Sequence, residues 1–159
     1  MSVVIRPADR SDVPVIAGLI RGLARFEKLE EEVTMTEELL ARNLFGPRPY
    51  AETLIAEDGA APVGFALFFH NFSTFLAKPG IYLEDLFVVP EHRGRGIGRA
   101  LLQRLAQIAV QRDCGRLEWA VLDWNREAIG FYERLGAKPN SEWTVYRLTG
   151  EALTVLGRE

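Results

Sequence analysis

Apolar positions recur along this chain with two different periods, and turn-forming residues separate the runs. Residues 3–6 read as a short strand, after which Pro7, Asp9 and Ser11 supply turn and N-cap chemistry. Ile16, Leu19, Ile20 and Leu23 then form one face of a predicted helix. Thr34 and Glu37 stand at capping-box spacing and predict a second helix through Leu44, ended by Gly46 and Pro47. β-rich runs at 53–57 and 63–70, joined by Asp58-Gly59-Ala60-Ala61-Pro62, predict an antiparallel hairpin. A further strand at 81–89 leads into a helix in which Ile97, Leu101, Leu105 and Ile108 repeat, ending near Cys114 and Gly115. Residues 116–122 predict another strand. Asn125 can cap a helix over 126–135 that Gly136 terminates, and 143–148 predicts a last strand.

This order mixes meander and crossover connections, so the expected fold is α/β (α+β): a central mixed, mostly antiparallel sheet with helices on both faces. At 159 residues and 48% hydrophobic content, a single domain spanning 1–159 is expected. The 19 basic and 22 acidic side chains leave a net charge of −3, which disfavours nucleic acid as a partner. No window reaches the ~18 apolar residues of a membrane span, so a soluble protein with no membrane partner is expected. The start lacks a secretory pattern and Cys114 is the single cysteine, which makes the reducing cytoplasm the expected location. Cys114 itself reads as a small buried filler.

Candidate chemistry concentrates where the strand at 81–89 gives way to Arg93-Gly94-Arg95-Gly96-Ile97-Gly98 and a helix. Glycines let backbone N–H groups converge, the helix N-terminus adds positive potential, and Arg93, Arg95 and Arg99 add full charges. An anion cradle suited to a pyrophosphate results. No Lys-Ser/Thr pair follows, as a Walker A loop would require, and the third glycine of a dinucleotide fingerprint is missing. Just upstream, Glu84 and Asp85 interrupt an apolar strand, so one of them must face inward among apolar neighbours, where a lone carboxylate is costly. Glu84 reads equally as a cleft acid or a satisfied one; Asp85 reads as satisfied by backbone amides or an arginine. Tyr132 lies near the edge of the apolar stripe of its helix, with its hydroxyl able to reach a cleft. Glu27 can attract a cation, whereas Glu30, Glu31 and Glu32 read as a solvated helix end. His70 and His92 lack metal-ligand spacing, and no metal is assigned.

Leu86-Phe87-Val88-Val89-Pro90, the Arg93 to Gly98 motif, Asn125 and Phe131-Tyr132-Glu133-Arg134-Leu135-Gly136-Ala137 together resemble the GNAT superfamily of acetyl-CoA-dependent N-acetyltransferases across nearly the whole chain. Ile5-Arg6-Pro7-Ala8, Glu31-Glu32-Val33, Tyr82-Leu83-Glu84-Asp85 and Val121-Leu122-Asp123-Trp124-Asn125 resemble its spermidine/spermine, or diamine, N-acetyltransferase group. The run from Ala120 to Asn125, and Ser73-Thr74 before Phe75, are most similar to the thialysine N-ε-acetyltransferase branch. Where polyamine-specific members carry Asp-Pro-Trp, this chain has Ser73-Thr74-Phe75. The resemblance implies that backbone groups of Leu86, Phe87 and Val88 hold the acetyl and pantetheine parts of acetyl-CoA. It likewise implies that the loop of Arg93, Gly94, Arg95, Gly96, Ile97, Gly98 and Arg99 binds the pyrophosphate, while Asn125, Arg126 and Glu127 touch the pantetheine arm. Tyr132 would then stand by the thioester sulfur, with Glu84 serving the amine. Glu27 and Asp85 would be substrate contacts, and a homodimer is implied.

An alkyl ammonium of pKa near ~10.4 must lose a proton before it attacks a carbonyl. The expected mechanism is direct attack in a ternary complex, with Glu84 relaying the proton through water and Tyr132 protonating the thiolate. Two alternatives remain open at this stage: a protein or peptide N-acetyltransferase, and a non-catalytic CoA-binding module.

Overall fold

Val3–Pro7 (β1) opens the chain in the computed structural model, which describes residues 2–158. Asp9 and Asp12 then cap each other's turn: Ser11 N donates to the Asp9 carboxylate and Asp9 N to that of Asp12. Helix α1 (Val13–Phe26) follows and buries Ile16, Leu19 and Leu23. Helix α2 (Glu37–Phe45) is capped by Thr36, whose Oγ1 accepts from Leu39 N at 3.1 Å, rather than by the expected Thr34. Thr36 has the extended backbone that a cap requires, two residues nearer the helix.

Strands β2 (Glu52–Asp58) and β3 (Ala61–Ser73) form the expected hairpin, its turn relaxed by the left-handed Gly59. Strand β4 (Lys78–Val88) pairs antiparallel with β3, and helix α3 (Ile97–Gln111) crosses over to β5 (Leu117–Trp119), which runs parallel to β4. The sheet order is β1-β2-β3-β4-β5, so four antiparallel strands carry one parallel edge. Phe87 points to the face covered by α1, where it packs with Leu19, Leu23 and Phe65. Its neighbour Val88 points to the other face, toward Gly98 of α3. Helices therefore cover both faces, as the alternating pattern predicts.

Arg6 ties β1 to this frame. Its guanidinium donates two hydrogen bonds of 2.8 Å to the buried Asp12 carboxylate and one of 2.6 Å to Glu57. These bonds hold the Asp12 carboxyl below the usual aspartate range.

The chain divides into two compact units, Met1–Ala120 and Val121–Glu159. The second contains helix α4 (Arg126–Arg134), closed by the left-handed Gly136, and an unforeseen short helix α5 (Gly150–Leu156). The strand expected at 143–148 is not formed among the described residues. A strand exists only through its ladder partners, and this segment has none, although Trp143, Val145 and Tyr146 are more than three-quarters exposed. For the same reason β5 stops at Trp119 rather than reaching residue 122. Among the described residues no helix is long and apolar enough to cross a membrane.

Candidate active site

The register between β3 and β4 breaks at one point. Leu67 pairs with Asp85 but Phe68 pairs with Leu83, which leaves Glu84 as the extra residue of a β-bulge. β5 pairs only with residues 81–83 of β4, so from Glu84 onward that edge of β4 has no ladder partner in the first unit. The bulge thus sits where the pairing with β5 ends, and Leu86, Phe87 and Val88 lie just beyond it.

Of the two acids, Asp85 and not Glu84 is withdrawn from water: Glu84 is exposed and Asp85 half-buried. The amide or arginine partner expected for Asp85 is absent among the described residues. Its pKa is instead pushed up from 3.8 to about 6, first by burial and then by the charges of Glu84 and Glu27. Glu27 follows the last turn of α1, and its own carboxyl is pushed up by burial. Three carboxyls from α1 and β4 therefore share one electrostatic neighbourhood, a convergence that strand spacing alone could not reveal. Glu30, Glu31 and Glu32 form a separate exposed turn, as a solvated charge run should.

The loop after β4 carries the expected backbone. Gly94 and Gly96 have φ of +78° and +80°, and Gly96 is the N-cap of α3. Such angles strain any residue with a Cβ. The backbone N–H groups of residues 94–99 donate to no acceptor among the described residues. This is the donor set that a diphosphate requires at a helix N-terminus.

The arginines behave differently from one another. Arg93 Nε donates to the Val88 carbonyl at 2.9 Å, and its guanidinium lies over the rings of Phe26 (4.3 Å) and Phe87 (5.5 Å). Arg95 pairs with Asp58 of the β2–β3 turn at 3.1 Å. Arg99 is exposed on the first turn of α3. The Phe26 and Asp58 contacts are tertiary and left no local signal in the sequence.

In the second unit, Asn125 Oδ1 caps α4 by accepting from Ala128 N at 3.2 Å. Arg126 and Glu127 are exposed on the first turn. Tyr132 is half-buried on the same helix, its ring tilted 48° against Phe131 at 5.5 Å. Elsewhere, Cys114 is partly exposed rather than a buried filler, because Asp113 adopts φ +55° and carries the chain out of α3; Sγ lies 3.9 Å from His70 Nδ1.

The bulge, the edge beyond it and the glycine-rich loop that opens α3 all lie within a stretch whose sequence matches a class of acyl-transfer enzymes. The profile of the Acetyltransferase (GNAT) family matches residues 19–137, and the chain belongs to this family as an N-acetyltransferase. Among its relatives, a thialysine N-epsilon-acetyltransferase of Bos taurus is 40% identical, over 97% of this chain and 96% of that protein. The L-ornithine N5-acetyltransferase NATA1 of Arabidopsis thaliana is 35% identical over 97% of this chain and 87% of its own. An integron cassette protein from the mobile metagenome of V. cholerae superposes with a TM-score of 0.84 at 29% identity, covering 100% of this chain and 99% of that one.

Proposed function

We propose that this enzyme transfers the acetyl group of acetyl-CoA to a primary amine of a small cationic molecule, a thialysine- or lysine-like amino acid or a di- or polyamine, by direct attack with both substrates bound. The observation that carries this reading is the meeting of Glu27, Glu84 and Asp85 at the bulge of β4, beside strand residues whose edge has no ladder partner in the first unit. Three acids in one neighbourhood favour a cationic acceptor over a neutral one. The relatives named for thialysine and for L-ornithine support an amino-acid-like amine. So does Ser73, whose hydroxyl is occupied as an acceptor for Arg116 at 3.0 Å, in the segment where polyamine-specific members carry Asp-Pro-Trp.

Acetyl-CoA, when bound, supplies the thioester acetyl group. In this reading the free N–H groups of residues 94–99 and Arg99 hold its diphosphate, Leu86, Phe87 and Val88 offer main-chain hydrogen bonds to the acetyl and pantetheine parts, and Asn125, Arg126 and Glu127 border the arm. Glu84, facing water, relays the proton of the ammonium group away. Asp85 and Glu27 hold the cation. A main-chain N–H of the strand beyond the bulge stabilises the oxyanion, and the Tyr132 hydroxyl protonates the thiolate as it leaves. The family match crosses the boundary at residue 120, which supports one functional domain. The exposed Trp143, Val145 and Tyr146 support a homodimer.

The test is thiol release from acetyl-CoA with thialysine, lysine, ornithine, putrescine, spermidine, spermine and a lysine peptide. The amino acids are expected to give the highest kcat/KM. Preference for the peptide would overturn the small-molecule reading, and no release with any amine would overturn catalysis of this reaction.

A further inference from the structure

Arg93 is the first residue of the glycine-rich loop, yet its exposed side chain folds back toward the end of β4. Nε donates to the carbonyl of Val88, the last residue of β4. The guanidinium lies over two rings, those of Phe26 at 4.3 Å and Phe87 at 5.5 Å. Phe26 ends α1 and immediately precedes Glu27. Phe87 is buried and lies between Leu86 and Val88 on β4. Behind it, Gly22 of α1 comes so near that a Cβ there would stand 3.0 Å from the Phe87 ring.

From this geometry we infer that Arg93 is a positioning residue that sets the acceptor side of the site, and not a ligand of the cofactor's diphosphate. One side chain joins the loop, the strand end beyond the bulge and the helix end that carries Glu27. A planar, delocalised cation suits this place because it can lie over aromatic rings while its Nε reaches a carbonyl; a lysine ammonium cannot do both. The three attachments are of different kinds and couple the loop to Phe26, the residue next to Glu27. Acceptor alignment is thereby set by a residue of the loop whose side chain faces the strand and helix ends.

The inference rests on the acetyl-transfer reading above, and the experiment separates the two. Thiol release is measured for wild type, Arg93→Lys, Arg93→Ala and Phe26→Leu with acetyl-CoA, and with an acetyl thioester of pantetheine, which lacks the diphosphate. Circular dichroism and thermal melts confirm that each variant is folded. For a positioning residue, Arg93→Lys and Arg93→Ala both raise the KM for the amine by about tenfold, the scale of one lost charge-assisted contact. The loss in kcat/KM is then equal on the two thioesters, and Phe26→Leu shifts the amine KM in the same direction. A diphosphate ligand behaves otherwise: Arg93→Lys restores activity, the defect lies in the KM for acetyl-CoA, and it vanishes with the pantetheine thioester. That pattern overturns the inference while leaving the acetyl-transfer reading intact. If Arg93→Ala is unfolded, the Lys and Phe26→Leu variants decide by the same criteria. Wild-type protein that releases no thiol with any amine overturns both.

Discussion

Replacing Asp85 by Asn should stabilise the fold while slowing acetyl transfer. In the native protein the Asp85 carboxyl titrates near 6, against 3.8 for the ordinary group, because burial and the neighbouring Glu84 and Glu27 charges oppose its ionisation. The unfolded chain feels neither effect. Below pH 3.8 the carboxyl is protonated in both states and imposes no penalty. As pH rises toward 6 it ionises more readily in the unfolded chain, and native stability falls until the native group has also ionised. Each pH unit of difference corresponds to about 1.4 kcal/mol, so the full penalty above pH 7 is about 3 kcal/mol. Asn keeps the shape and cannot ionise. Denaturant unfolding of wild type and Asp85→Asn from about pH 3 to about pH 8 should give nearly equal stabilities at the acid end and a growing advantage for the variant that levels off above about pH 7. Over the same range, wild-type kcat/KM for the amine should fall as pH drops below 6, and the variant should be slow throughout. A variant that is less stable than wild type at pH 8, or a stability difference independent of pH, would refute the argument that Asp85 is held in a costly ionised state.

Tyr132→Phe removes the transferable proton and leaves the ring, so kcat should fall by roughly a hundredfold or more with little change in CoA affinity by calorimetry. Unchanged turnover would exclude Tyr132 as the acid. The Asp12 carboxyl is held low by Arg6, so its contribution is complete above the ordinary aspartate value and is lost as pH falls through the native one. Asp12→Asn should therefore destabilise at pH 7 by about 2 kcal/mol, and the difference should shrink in acid, as denaturant titration can show. Gly22→Ala would bring a methyl to 3.0 Å from the Phe87 ring and should cost about 1–3 kcal/mol of stability, read in the same experiment.

The parts of this molecule that local chemistry controls were legible in the sequence. Pro7 and Asp9 announced the capped turn that leads into α1, Asn125 and Gly136 the limits of α4, and the alternation around Gly59 a hairpin. The strand-to-glycine-to-helix passage at residues 88–97 betrayed the loop because only left-handed backbone accounts for its composition. What depends on distant neighbours was not legible. Residues 143–148 have strand composition, but composition cannot provide a ladder partner. The bulge at Glu84 is a property of two strands together, and it decides which acid of the Glu84-Asp85 pair faces inward. Strand alternation says only that one acid of the pair faces inward, and the structure gives that place to Asp85. The approach of Glu27 to Asp85 and of Arg93 to Phe26 joins residues more than fifty positions apart, beyond the reach of any pattern.

The engagement of Arg95 with Asp58, and of Arg93 with Val88 and two rings, bears on how the proposed enzyme reaction should respond to ionic strength. In the proposed binding mode, with these two guanidiniums held by the protein, the grip on the donor nucleotide falls mainly to main-chain amides, with Arg99 as the remaining guanidinium. Fixed dipoles release few counter-ions on binding, whereas a cluster of unpaired arginines would release many. Added potassium chloride should therefore weaken coenzyme association only gently, and the more abrupt response should come from the amine, whose recognition depends on full charges.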